Sequence, residues 1–358
     1  MNRQMVMMWL VVLGLISGVC VQAGVGGLPD DPQKRQEMLK RFDKDGDGKL
    51  NAEEWLAARK ERQEKRGGEK ANLAAVPAGV KAMRDVEYAR VDGKPLLLDL
   101  YLPAKAAQPM PVIVWVHGGA WRAGDKKRCP AIPMSAQGYA VASINYRLTD
   151  VATFPAQIYD CKGAIRWVRA HAKEYGFDPD RIGVWGGSAG GHLVALLGTS
   201  GDVKELEGDV GGNLDFSSRV QAVAVFCGPS SFRIEDLKGR EDTQEGKTPD
   251  TIAKLLGGTI QEKPELARLA SPAAHVTPDD PPFLIVHGAN DPIVPVQQAH
   301  IQAVALKKAG VEAVLHIEPE AGHGVMNAKT IKLAEEFFDK QLKGKASCTK
   351  PGSAPAPN

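Results

Sequence analysis

Net charge is what this sequence most lacks. Its 45 Lys and Arg stand against 43 Asp and Glu, leaving +2 over 358 residues. So even a balance gives no electrostatic reason to expect nucleic acid or an anionic membrane as a partner. Excess hydrophobicity is missing too. A hydrophobic fraction of 43% with 25% charged residues is that of an ordinary globular chain. It excludes wholesale disorder, a fibrous repeat and a multi-span membrane protein. Cysteine is sparse, five in all. The length suggests about two domains, of which one α/β domain can fill most.

The one long apolar stretch comes first. Arg3 is followed by an uncharged segment to Pro29, apolar from Met5 to Val19. Val21-Gln22-Ala23 then places small residues where a signal peptidase needs them. A charged start, a short apolar centre and a small-x-small end predict a signal peptide over 1–23, hence a secreted or periplasmic protein with no stable membrane span after cleavage. The alternative is an uncleaved anchor. Cys20 does not mark a lipoprotein, because bulky Val19 stands where lipidation wants a small residue. Export leaves Cys129, Cys161, Cys227 and Cys348 where disulfides persist. Four cysteines allow three pairings. Cys227 lies in an apolar run and reads as a core thiol. Cys129 follows a glycine-rich turn and Cys161 lies early in the next helical pattern, so a Cys129–Cys161 disulfide on one face of a sheet is expected. Cys348 belongs to a tail, 344–358, almost without large apolar residues and expected to be disordered.

A second segment, 31–66, carries Asp43-Lys-Asp45-Gly-Asp47-Gly-Lys49-Leu-Asn51-Ala-Glu-Glu54. Asp43, Asp45 and Asp47 fall at positions one, three and five of an EF-hand loop, with Gly48 at the sharp turn. The Lys49 carbonyl falls at seven, Asn51 at nine and the closing Glu54 at twelve. That spacing collects oxygens around one Ca2+. Asp31 and Pro32 start the entering helix, which runs to Phe42, and residues 53–65 form the exiting one. The sequence holds no second such loop, which favours a structural calcium site over a tuned sensor. Residues 67–79 read as a linker.

From residue 80 to 343 the pattern alternates. Residues 86–91, then Asp92-Gly93, then 96–102 predict a β-hairpin. Short apolar runs follow at 112–116, 140–144, 182–185, 220–226, 283–286 and 313–317, separated by helical patterns at 156–173, 296–308 and 328–342. Apolar strands alternating with helices make a mostly parallel sheet covered on both faces. A hairpin entering a sheet of about eight strands suggests the α/β-hydrolase fold. Residues 230–270, inserted between two strands, are expected to form a small cap with a charged rim.

Gly186-Gly-Ser188-Ala-Gly190 lies between a strand and a helix, the setting of a nucleophile elbow. His117-Gly118-Gly119-Ala120-Trp121 ends a strand one unit upstream. The N–H groups of Gly118 and Gly119, with that of Ala189, can form an oxyanion hole. Among eight histidines, His323 alone sits in an open loop after the final strand. Asp291 follows the strand at 283–286. Asp279 and Asp280 are competing acids, but they precede that strand. The order Ser188, Asp291, His323 is that of an α/β-hydrolase triad.

With these residues, the segment 86–342 resembles bacterial carboxylesterases of the α/β-hydrolase superfamily. It is most similar to hormone-sensitive-lipase-like and bifunctional feruloyl/acetylxylan esterases. The motifs are His117–Trp121 with Asp125-Lys126, Asn145-Tyr-Arg-Leu148, Gly186–Gly191, His287-Gly-Ala-Asn-Asp291 and Gly322-His-Gly324. The resemblance implies hydrolysis of a carboxylic ester through an acyl-enzyme, with no cofactor for catalysis, and leaves the ester open. The charged run Glu235 to Asp250, unlike a greasy lipase lid, points to short acyl groups, small or polysaccharide-linked, as substrates. Ala120 replaces a third glycine found in many lipase-like relatives, and Gly187 replaces an acid. The alternatives are a serine peptidase of prolyl-oligopeptidase type and a non-catalytic, calcium-dependent adhesion module.

Overall fold

The computed structural model describes residues 32–44, 46, 48, 54, 75–105, 109–239 and 247–344. The expected signal peptide, the tail with Cys348, the loop positions Asp45, Asp47, Lys49 and Asn51 and the charged segment 240–246 lie outside the described residues. The chain divides into two compact units, residues 1–68 and 69–358. In the first, helix α1 (Pro32–Phe42) begins on the expected proline, which needs no N–H partner there.

In the second unit eight strands form one sheet in the order β1-β2-β4-β3-β5-β6-β7-β8. They are β1 (Val80–Val91), β2 (Lys94–Pro103), β3 (Met110–Val116), β4 (Ala140–Ile144), β5 (Phe177–Gly187), β6 (Ala222–Phe226), β7 (Phe283–Gly288) and β8 (Ala313–Glu318). The Asp92-Gly93 hairpin pairs Val91 with Lys94, and β2 runs antiparallel to β4. All remaining pairs are parallel. Every residue of β3 is buried, as a parallel strand covered on both faces requires. The helices are α2 (Ala156–Ala170), α3 (Ala172–Tyr175), α4 (Ala189–Thr199), α5 (Asp250–Leu256), α6 (Pro264–Leu269), α7 (Gln297–Lys308) and α8 (Ala328–Phe338).

Two cores flank the sheet. Val112, Val114 and Val116 of β3 face one, Ile113 and Trp115 the other. This parity corrects the expected Cys129–Cys161 disulfide. Cys161 belongs to the first core and Cys129 to the second, and both are free buried thiols. The topology gives the reason. The β3–β4 connection moves one way across the sheet, and the β4–β5 connection moves back past β3. Two crossovers of the same hand but opposite direction lie on opposite faces.

The insertion between β6 and β7 is less of a separate cap than expected. Phe232, Leu237, Ile252, Leu255 and Leu256 are at most 1% exposed. They are continuous with the first core, so burial welds the insertion to the sheet's helical layer. Among the described residues no helix is long and apolar enough to cross a membrane.

Candidate active site

The elbow forms where β5 ends against α4. Ser188 has φ 55° and ψ −120°, a left-sided backbone conformation that L-residues avoid and that active sites use. Its N–H donates to the Phe226 carbonyl at 2.7 Å, and its carbonyl accepts from the His192 N–H at 2.9 Å. Strand β6 and helix α4 therefore hold the serine from both sides. Gly190 is required by close approach: a Cβ there would lie 2.1 Å from the Val116 carbonyl oxygen and 2.6 Å from that of His117.

The structure brings the three expected residues together. His323 Nε2 lies 2.9 Å from Ser188 Oγ, and His323 Nδ1 lies 2.7 Å from Asp291 Oδ2. Asp291 Oδ1 accepts from the N–H groups of Ile293 and Val294, both at 2.9 Å. Its loop is stitched to the histidine loop by Ala289 N–H to the Glu318 carbonyl and Asn290 N–H to the Ala321 carbonyl, each 3.0 Å. The Asp291 side chain is inaccessible to solvent while that of His323 is 23% exposed, so the imidazole can meet a substrate and the acid cannot.

Burial alone would raise the Asp291 pKa. Hydrogen bonds from His287 and His323, the facing imidazole and the Val294 amide outweigh it and hold the carboxyl well below the usual range. An ionised carboxylate only accepts, so His323 Nδ1–H donates to it and Nε2 is left to accept the Ser188 hydroxyl proton. That arrangement can activate an alcohol as a nucleophile.

The rival acids are elsewhere engaged. Asp279 pairs with Arg219 at 2.7 Å, and Asp280 accepts from the Thr277 N–H and hydroxyl. The rival histidines are occupied as well. His117 stacks on Tyr146, His171 on Trp167, and His316 binds Glu318.

The glycine turn runs beside the nucleophile. A Cβ on Gly118 would lie 3.3 Å from Ser188 Cβ and 2.6 Å from the Gly187 carbonyl oxygen. Among the described residues no carbonyl accepts from the N–H of Gly118, Gly119 or Ala189, which leaves three donors for an oxyanion. The turn is anchored downstream. Tyr146 OH donates to the His117 carbonyl at 3.0 Å, and the Lys126 N–H donates to Asn145 Oδ1 at 2.7 Å. Lys126 Nζ reaches the buried Asp99 carboxylate at 2.8 Å. The Asp125-Lys126 and Asn145-Tyr146 motifs thus fix the turn to β2 and β4.

Two neighbours of the acid were not singled out for the site from sequence. His287 Nε2 lies 2.7 Å from the Val294 carbonyl and 3.3 Å from Asp291 Oδ2. The Cys227 thiol donates to the His323 carbonyl at 3.6 Å. Burial, then the nearby Asp291 charge, pushes that thiol well above its ordinary pKa, so it is an unreactive support. Each ends an apolar strand and reads as core; the residue after a strand's carboxyl end is the positional signal that finds them. Among the described residues Cys227, Asp291 and His323 also bring potential ligand atoms within 4.8 Å of one another. Their hydrogen bonding already accounts for that closeness.

In the N-terminal unit the Asp43 carboxylate accepts from the N–H groups of Gly46 at 2.6 Å and Gly48 at 2.9 Å. Both glycines have positive φ, 71° and 77°. Glu54 Oε1 accepts from the Lys44 N–H at 2.6 Å, which brings the last loop carboxylate beside the first. The carboxylate oxygens of Asp43 and Glu54 are donors of the kind a hard cation takes.

Comparison with known proteins adds a family. The BD-FAE family model matches residues 98–306. Esterase LipQ of Mycobacterium tuberculosis is 35% identical over 247 residues, 67% of this chain and 56% of that protein. The chain thus spans little more than half the length of that relative. Carboxylesterase NlhH of the same species is 31% identical, over 64% of this chain and 70% of its own. A truncated carbohydrate esterase from gut microbiota superposes with a TM-score of 0.67 at 32% identity, covering 74% of this chain and 96% of that one.

Proposed function

The chain belongs to the BD-FAE family, and from that premise we propose that it is a serine carboxylesterase acting through Ser188, His323 and Asp291. The observation that carries this reading is the unbroken line of hydrogen bonds from Asp291 through His323 to Ser188 Oγ. His323 takes the hydroxyl proton as Ser188 attacks the ester carbonyl, then returns it to the leaving alcohol. Gly118, Gly119 and Ala189 supply N–H groups to the tetrahedral oxyanion. Water repeats the sequence on the acyl-enzyme, with His323 again as base.

The proposed substrates are esters of short acyl groups, including acetyl or hydroxycinnamoyl groups on polysaccharide. Support comes from the carbohydrate esterase similarity and from a Thermogutta terrifontis esterase, 30% identical, whose structure holds butyrate. The test is a panel of p-nitrophenyl esters from acetate to palmitate, with acetylated and feruloylated xylo-oligosaccharides and a peptide anilide. Turnover should peak at two to four carbons, by about tenfold or more over long chains, since each methylene in or out of a pocket is worth about 1–3 kcal/mol. Preference for the anilide would favour the peptidase reading.

We also propose that the protein is exported and that its Asp43–Glu54 loop binds calcium for structure alone. Glu54→Gln should weaken calcium binding in calorimetry by at least about tenfold, since it removes the charged bidentate ligand. Esterase turnover should stay within about twofold of the parent, because the triad lies in the other compact unit. Loss of turnover in chelator, restored only by calcium, would reject the separation of roles.

A further inference from the structure

The oxyanion turn holds a backbone that its residues do not favour. Gly119, Ala120 and Trp121 in succession have φ of 121°, 53° and 57°. Glycine accepts this freely; alanine and tryptophan do so only under constraint. Part of the constraint is local, since the Gly119 carbonyl accepts from the Arg122 and Ala123 N–H groups and the Trp121 carbonyl from the Thr149 N–H. The rest is a side chain. The Trp121 indole Nε1–H donates to His192 Nδ1 at 3.2 Å.

His192 sits on α4, four residues beyond the nucleophile, and is wholly buried. Its Nε2 lies 2.7 Å from the Ala270 carbonyl, at the end of the cap insertion. Because Nδ1 accepts from the indole, the ring proton is on Nε2 and donates to Ala270. Only the neutral ring in this tautomer makes both bonds. Burial pushes its pKa down to about 4, which keeps it neutral around pH 7. Phe232 closes the site from the insertion, 5.0 Å from the imidazole and 5.9 Å from the indole between ring centres. The His192 N–H itself donates to the Ser188 carbonyl. One side chain therefore joins the oxyanion turn, the nucleophile helix and the cap.

We propose that His192 is a positioning residue that clamps Trp121 and so holds the Gly118 and Gly119 N–H groups towards the reacting carbonyl. This rests on the reading of those amides as the oxyanion donors. With the clamp released, the turn relaxes and the donors swing from a charge that exists only in the transition state. The loss then falls on kcat and not on KM.

The test is a double-mutant cycle on the full chain with p-nitrophenyl acetate. Trp121→Phe keeps a ring and loses the donor. His192→Leu loses both bonds. Each should lower kcat by about 10- to 100-fold, less than removal of an oxyanion donor itself, with KM within about twofold. The double variant should be no worse than the poorer single, since both break one contact. His192→Asn, which can keep an acceptor near Nδ1, should recover most of the loss. His192→Gln, which reaches only towards Ala270, should not. A trifluoromethyl ketone should weaken in parallel with kcat/KM. Trp121→Phe with a wild-type kcat and an unchanged urea midpoint would overturn the proposal. So would additive losses in the cycle, or a Gln variant as active as the Asn variant. Activity surviving Ser188→Ala would instead reject the underlying reading of the site.

Discussion

Ser188→Ala should remove ester hydrolysis by roughly a millionfold in kcat, the scale of nucleophile removal in a serine hydrolase. The fold should remain. The Ser188 hydroxyl has one hydrogen-bonding partner among the described residues, His323 Nε2 at 2.9 Å. The elbow is held by the Ser188 N–H to Phe226 and the Ser188 carbonyl to His192, both of which alanine keeps. Losing one partly exposed hydrogen bond changes stability by about 1 kcal/mol or less. Steady-state turnover of p-nitrophenyl acetate beside a urea unfolding curve checks both halves. Any residual rate over the uncatalysed one belongs to the oxyanion donors and binding. Normal turnover by the variant would place the nucleophile elsewhere.

Much of this arrangement was legible because chain order and local turn chemistry carry it. Asp92-Gly93 marks a hairpin, and β1 and β2 close across it with Val91 opposite Lys94. Ser188 sits between an apolar strand and a helix, and Asp291 and His323 follow the strands that the alternating pattern locates. What sequence could not supply was which face of the sheet each connection takes. That depends on the spatial order β4-β3-β5, which no local pattern encodes, and it separates Cys129 from Cys161. Side chains acting through buried contacts were equally invisible. His192 and Cys227 are 0% and 2% exposed. From sequence each resembles an ordinary core residue until its partner from a distant segment is known. The insertion at 230–270 was visible as an insertion, but its apolar residues could equally have lined a movable lid. Their burial against the first core decides otherwise.

Asp291→Asn should lower kcat by about four orders of magnitude while KM changes little, the size seen when a triad acid loses its charge but keeps its shape. The local bonding dictates how. Oδ1 accepts from two backbone N–H groups, Ile293 and Val294, so an asparagine must turn its carbonyl oxygen towards them. Its NH2 then faces His323 Nδ1, 2.7 Å from the atom it replaces. Nδ1 becomes the acceptor, the ring proton moves to Nε2, and the base facing Ser188 is blocked. Nitrogen NMR of the imidazole should show that tautomer exchange. Stability should respond with a definite sign. The Asp291 carboxyl is held below its unfolded value, chiefly by the hydrogen bonds from His287 and His323 acting against burial. Its ionised form therefore stabilises the fold above the unfolded carboxyl pKa of about 3.9. That contribution is lost as pH falls from there through the lower folded value. The wild-type advantage over Asp291→Asn in unfolding free energy should thus be constant from pH 6 to 8 and shrink below about pH 4. A variant within tenfold of wild-type kcat, or an advantage that grows in acid, would remove Asp291 from the role of charged orienting acid.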